Sequence, residues 1–312
     1  MRKAWCFIRH CKRRFPKSTG KTAEYKAWGR DTFFRPHRKG GRFHMKLAVN
    51  TYSWLWNKTL EDTVRILGDN GISGVEFLVS PPHFYLADYR PGVYRKLRRT
   101  LEEYGMEAVS LNIPSMDINI ASPFPEMREM TLGLYRRAAL AAQELGAKIL
   151  VIPPGKRHPL LPPDYDLIAS YAKDSLLRLA DYLQDTGLTV GLETLPSNFI
   201  DTAAQLRQLV REVGSDRVKA VCDTANVIAW EDPASAVLTL REELCLLHLS
   251  DTRCGKWVHD VLGSGEVDYT SYLRAAKETG YDGYLVLEMI SKDGIGGILR
   301  SIEMLRGQGL HL

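Results

Sequence analysis

The chain has 312 residues, 45% of them hydrophobic and 25% charged, which is an ordinary globular composition and enough length for two modest domains or one large α/β barrel. No apolar run approaches the roughly 20 residues that a bilayer-spanning helix needs, so no membrane partner is expected. The net charge of +5 hides an imbalance: residues 1–44 hold 14 Lys and Arg against Glu24 and Asp31 (net +12), and the rest holds 28 against 35 (net −7).

The basic segment 1–44 is read as an over-called start or a disordered extension, because its composition suits disorder. Met45 opens Met45-Lys46-Leu47-Ala48-Val49-Asn50, which looks like the natural start of a domain that begins on a strand. The apolar stretch Ala4–Ile8 is too short for a signal-peptide core. Cys6, Cys11, Cys222, Cys245 and Cys254 show no close paired spacing, and their odd number fits a reducing, cytoplasmic setting.

From Met45 onward, short apolar runs alternate with amphipathic stretches. Leu47–Asn50 reads as the first strand, followed by a helix over Leu60–Asn70 with Thr59 as its N-cap. Gly74–Leu78 leads to the helix Val93–Tyr104, and Glu107–Leu111 to Glu126–Leu145, closed by Gly146. Lys148–Ile152 with Asp166–Thr186, Leu188–Glu193 with Ala203–Val213, and Val218–Asp223 with Pro233–Arg241 make three further units. Leu244–Leu249 with Tyr269–Thr279 and Gly283–Glu288 with Gly294–Arg306 complete the series. Eight such units in about 265 residues predict a single-domain α/β (β/α)8 TIM barrel over residues 45–312. No glycine-rich turn follows the first strand, as a dinucleotide-binding sheet would require, and Gly263-Ser264-Gly265 alone is a weak phosphate motif.

Barrel enzymes keep their chemistry at the C-terminal ends of the strands. The last four strands here end on Glu193, Asp223, His248 and Glu288. Alone, each would be a loop charge or a core histidine. Together on consecutive strands, three carboxylates and an imidazole predict one divalent ion, Mn2+, Mg2+, Co2+ or Zn2+. Such an ion polarises a carbonyl and its neighbouring hydroxyl, and the two glutamates could remove and return the adjacent proton through a metal-stabilised enediolate.

The segments Gly191-Leu192-Glu193, Cys222-Asp223-Thr224, His248-Leu249-Ser250-Asp251, His259 with Gly263-x-Gly265-Glu266-Val267-Asp268, and Leu287-Glu288 resemble the xylose-isomerase-like barrel superfamily. The resemblance spans about Met45 to Leu305, with Gly74-Val75-Glu76 similar to its second strand. It implies metal ligation by Glu193, Asp223, His248 and Glu288, with Glu193 and Glu288 also catalytic. The nuclease branch needs further histidines, and this chain has Asn112, Pro153 and Asn226 at those positions. That leaves one ion rather than a cluster, and the acidic body also argues against a nucleic-acid partner.

The resemblance therefore implies a sugar isomerase or epimerase acting on a ketose, a keto-sugar acid or a polyol derivative. The rivals are a dehydratase of inosose or dehydroshikimate type on the same ion, and a non-catalytic metal-binding barrel. Asn226, His259, Arg253 and Trp54 are the expected substrate contacts. Asn226 can hydrogen-bond but cannot exchange a proton at neutral pH, unlike the histidine found there in relatives. Glu76 reads as a supporting residue. Aromatic residues on the same loops (Tyr52, Trp54, Trp56, Phe84, Tyr85, Trp230, Trp257) fit either a sugar-binding wall or a subunit contact, so a homo-oligomer stays open.

Overall fold

Eight short apolar strands can hide both faces only if they close on themselves, with helices outside. The computed structural model describes residues 45–114, 117–196 and 198–308. In it the strands form a closed parallel barrel in chain order. They are β1 (Lys46–Asn50), β2 (Gly74–Leu78), β3 (Glu107–Asn112), β4 (Ile149–Ile152), β5 (Thr189–Glu193), β6 (Val218–Asp223), β7 (Leu244–Leu249) and β8 (Tyr284–Leu287). The pairing of β1 with β8, Lys46 opposite Tyr284 through Val49 opposite Leu287, closes the ring. The expectations for residues 1–44 lie outside the described residues.

The helices are α1 (Leu60–Asp69), α2 (Arg95–Glu103), α3 (Pro125–Leu145), α4 (Tyr165–Tyr182), α5 (Ala203–Val213), α6 (Thr224–Val227), α7 (Pro233–Leu240), α8 (Tyr269–Thr279) and α9 (Ile295–Gly307). Most follow the pattern read from the sequence. Thr59 caps α1 by accepting from the Asp62 amide at 3.1 Å, and Gly146 ends α3 at φ +84°. The helix expected to run to Thr186 ends at Tyr182, and α6 was not foreseen. No helix among the described residues is long and apolar enough to cross a membrane.

Inside the barrel, Ala48, Val109, Val151, Val221, Leu246 and Val286 pack as one buried layer. The two strands absent from it supply glycines. A Cβ on Gly74 would lie 2.9 Å from the Ala48 Cβ, and one on Gly191 would lie 2.6 Å from Cγ2 of Val221. The layer is therefore full, and it forms the floor under the strand ends. Gly191→Val should overpack it and destabilise the protein by about 1–3 kcal/mol, lowering the melting temperature by ~2–4 °C per kcal/mol. An unchanged melting curve would show that the floor has slack.

Candidate metal centre

β5 and β6 end on Glu193 and Asp223, His248 lies one residue before the end of β7, and Glu288 follows β8. All four are buried, with relative exposures of 4%, 0%, 0% and 2%. One ligand atom from each lies within 4.8 Å of the others. Several contacts hold this convergence. Asp223 pairs with His248 across β6 and β7, and the Glu288 amide donates to Leu249 O at 3.1 Å. Asp223 Oδ1 accepts from the Asn226 amide at 2.8 Å, which starts the single-turn helix α6. Behind the ligands, the Tyr272 hydroxyl of α8 lies 2.7 Å from Cys222 O and 3.2 Å from His248 O.

Beneath them sits Glu76, fully buried and surrounded by donors. Its Oε1 accepts from Asn50 Nδ2 at 2.6 Å and from Asn112 Nδ2 at 3.4 Å. Its Oε2 accepts from Ser110 Oγ at 2.6 Å and lies 3.1 Å from His248 Nε2. Burial alone would raise its pKa; the His248 charge and these hydrogen bonds outweigh burial and lower it. Asn112 also donates to Glu288 Oε1 at 2.7 Å, which links Glu76 to a second member of the cluster. The other nitrogen of His248, Nδ1, lies 2.8 Å from Glu193 Oε1 and 3.2 Å from Glu288 Oε2.

The electrostatics of the cluster are those of crowded acids. Burial would depress the His248 pKa, but Glu76, Glu288 and Glu193 together hold it well above its usual value. Burial pushes the Glu193 carboxyl up, with His248 opposing and Asp223 and Glu76 adding to the rise. Asp223 is pushed up to about 7, chiefly by burial, with Glu288 adding and His259 and His248 opposing. Its Oδ2 is buried without a hydrogen-bond partner.

The segment between β7 and α8 arches beside the cluster, and its anchor is Asp251. The Asp251 carboxylate accepts from the amides of Thr252 and Val267 on Oδ1 (2.9 and 3.1 Å) and of Gly263 and Gly265 on Oδ2 (both 2.9 Å). The glycine pair is thus a cradle for the chain's own carboxylate. A Cβ at Gly265 would lie 2.3 Å from Asp251 Oδ1. The next loop repeats the device: Asp293 accepts from Gly297 N at 3.0 Å and Ser291 Oγ at 2.8 Å, and pairs with Arg300 at 2.8 Å. A cleft of about 440 Å³ lies between the two loops, lined by Asp260, Ser264, Ser291, Lys292, Asp293 and Arg300 among others.

The other expected contacts divide. His259 reaches the cluster, with Nδ1 3.1 Å from Ser250 Oγ and 3.5 Å from Glu288 Oε2. Asn226 is 1% exposed beside Asp223, and its Oδ1 accepts from Trp257 Nε1 at 2.8 Å. Arg253 is exposed and donates to Ser264 O at 3.1 Å within its own loop. Trp54 is buried in the core, its Nε1 3.7 Å from where a Gly294 Cβ would be. Tyr52, which sequence reasoning placed only among the loop aromatics, stacks on His259 at 6.2 Å. Burial and then Glu288, Glu193 and Glu76 raise its hydroxyl well above the usual pKa, so it stays protonated beside the acids.

A closed parallel barrel with a buried carboxylate–imidazole cluster at its strand C-termini defines the class of this protein. The chain matches the xylose isomerase-like TIM barrel family over residues 64–308 and belongs to it. It is 22% identical over 238 residues to fructoselysine 3-epimerase of Escherichia coli O157:H7, covering 74% of this chain and 86% of that one. A crystal structure of a D-tagatose 3-epimerase-like protein superposes with a TM-score of 0.76 at 22% identity, covering 85% and 97% of the two chains. The IOLI protein, solved with a bound zinc atom, has the same fold at a TM-score of 0.71 and 19% identity, over 85% and 96%.

Asp251→Ala would strand four backbone donors, at about 1–3 kcal/mol for each buried one left unpaired. Hydrogen exchange at Gly263, Gly265 and Val267 should accelerate sharply and the melting temperature should fall. Retained protection at those amides would show that another acceptor takes over.

Proposed function

We propose that the chain is a divalent-metal-dependent epimerase or isomerase of ketoses and related keto sugars. The observation that carries this is the buried set Glu193, Asp223, His248 and Glu288, whose ligand atoms lie within 4.8 Å of one another. The epimerase named among its relatives and the zinc atom in a structure of the same fold support it. The residues also fit an ion on their own terms. Asp223 Oδ2 lacks a partner, and three carboxylates with one imidazole nitrogen suit Mn2+, Mg2+, Co2+ or Zn2+.

His248 would ligate through Nδ1, the nitrogen facing Glu193 and Glu288, while Nε2–H stays with Glu76. When bound, the ion would polarise the substrate carbonyl and the hydroxyl beside it, making the intervening C–H more acidic. Glu193, on β5, and Glu288, after β8, reach the cluster from different parts of the ring. One would take the proton and the other return one on the opposite face of the carbon. Asn226 and His259 would hold the substrate oxygens, with Tyr52, rather than the buried Trp54, offering an aromatic face. Arg253 would contact the outer end of the substrate after leaving Ser264.

Two anion cups in the positions where barrels commonly seat phosphate are filled by Asp251 and Asp293. This supports a substrate without phosphate at that end.

The test is solvent deuterium exchange by the metal-loaded protein with a panel of ketoses, inososes and keto acids, each offered with and without phosphate. Exchange at the carbon beside the carbonyl, with retained mass plus one, is expected on unphosphorylated ketoses. Glu193→Gln and Glu288→Gln should each lower the rate by ~10²–10⁴. Loss of water instead of exchange would make the protein a lyase, full turnover in both variants would reject the acid–base pair, and preference for phosphorylated substrates would reject the reading of the cups. Glu76→Gln should weaken Mn2+ binding by ~10–100-fold in a direct titration; unchanged affinity would remove Glu76 from the design.

A further inference from the structure

Asn226 is one of the buried polar groups with an unpaired atom, and its proposed place at the substrate leaves open which end of its amide faces that way. An amide side chain can usually be turned end for end without visible consequence. Here it cannot, because the Trp257 indole N–H only donates, so the atom 2.8 Å from it must be the Asn226 oxygen. The side-chain nitrogen, Nδ2, is then the end turned away from Trp257, buried and without a partner, on the residue whose backbone amide donates to Asp223 Oδ1. A buried donor left unpaired is costly unless something in the working site accepts from it. Trp257 is 49% exposed and sits in the same loop as His259, so the pair ties that loop to α6.

We infer that Trp257 is a positioning residue that holds the Asn226 amide nitrogen, rather than its oxygen, available to the substrate, so that this corner of the site donates to the substrate oxygen on which negative charge develops. The matching group is the carbonyl oxygen of a keto sugar or the oxyanion it becomes, which accepts more strongly than the hydroxyl of a reduced sugar. This rests on the reading of the cluster as a metal-assisted keto-sugar site.

Trp257→Phe keeps the ring and removes the N–H, freeing the amide to turn. Two readouts follow, with Mn2+ affinity as the control that the centre is intact. In the deuterium-exchange assay, kcat should fall about 10-fold or more with little change in KM, as expected when a donor to developing negative charge is lost. In equilibrium binding, the wild type should prefer D-fructose over D-glucitol, its reduced analogue, and Trp257→Phe should lose that preference. Trp257→His, which can place another ring N–H there, should restore part of both.

Normal exchange by the wild type, matched by Trp257→Phe in kcat and in ketose preference at unchanged Mn2+ affinity, overturns the inference alone. A wild type that exchanges deuterium with no member of the panel overturns the keto-sugar reading and this inference with it.

Discussion

Four carboxylates crowd one imidazole at the mouth of this barrel, and their repulsion is the constraint around which the rest of the site is built. The ligand atoms of Glu193, Asp223 and Glu288 lie within 4.8 Å of one another. At an effective dielectric near 20, each pair of full charges at that separation costs on the order of 3–4 kcal/mol. Three pairs approach ~10 kcal/mol, comparable with the entire stability of a typical domain. One protonated histidine cannot offset that while also answering Glu76. The cluster must hold protons or a cation, and Asp223 is pushed up to about 7, first by burial and then by the Glu288 charge.

The other buried or loop acids are treated differently, and the contrast separates framework from chemistry. Glu76 has donors from Asn50, Ser110, Asn112 and His248. Asp251 has four backbone amides, and Asp293 has an amide, a hydroxyl and Arg300. Each is a satisfied anion that fixes a neighbour: His248, the β7–α8 loop and the start of α9. Asp223 keeps an oxygen with no partner. Glu193 Oε1, in the same cluster, likewise has no hydrogen-bond donor, and the two unpaired oxygens mark where an external group would fit.

The barrel and the four strand-end residues were legible in the sequence because both depend on local pattern. A buried parallel strand is a short apolar run, and its last residue is fixed by where the run stops. What escaped was either too short to have a period or joined residues far apart in the chain. Helix α6 is a single turn, so no apolar stripe could announce it, although Asp223 three residues before Asn226 has the spacing of a cap. The Asn112–Glu288 and Trp257–Asn226 bonds span 176 and 31 residues. Gly263-Ser264-Gly265 reads in the sequence only as a weak phosphate motif, and the anion it cradles is the chain's own Asp251, 12 and 14 residues away. Trp54 and Tyr52 show the limit most plainly. They sit two residues apart on one turn, yet one faces the core and the other His259, a choice that only the closed structure makes.

The same closure bears on which reaction the site favours. Moving a carbonyl along a sugar chain requires a proton to pass between two oxygens as well as between two carbons. Inverting one carbon requires only removal and return at that carbon. Glu193 and Glu288, the acids proposed for the second task, are both in the cluster. The position best placed to serve the first, beside Asp223, is held by an amide that hydrogen-bonds but carries no exchangeable proton near neutral pH. With Trp257 fixing its direction as inferred, Asn226 would steady an oxyanion without relaying a proton through it. On the proposed reading the arrangement suits epimerisation better than aldose–ketose interconversion, and an aldose product formed at a comparable rate would show that His259 performs the relay that Asn226 cannot.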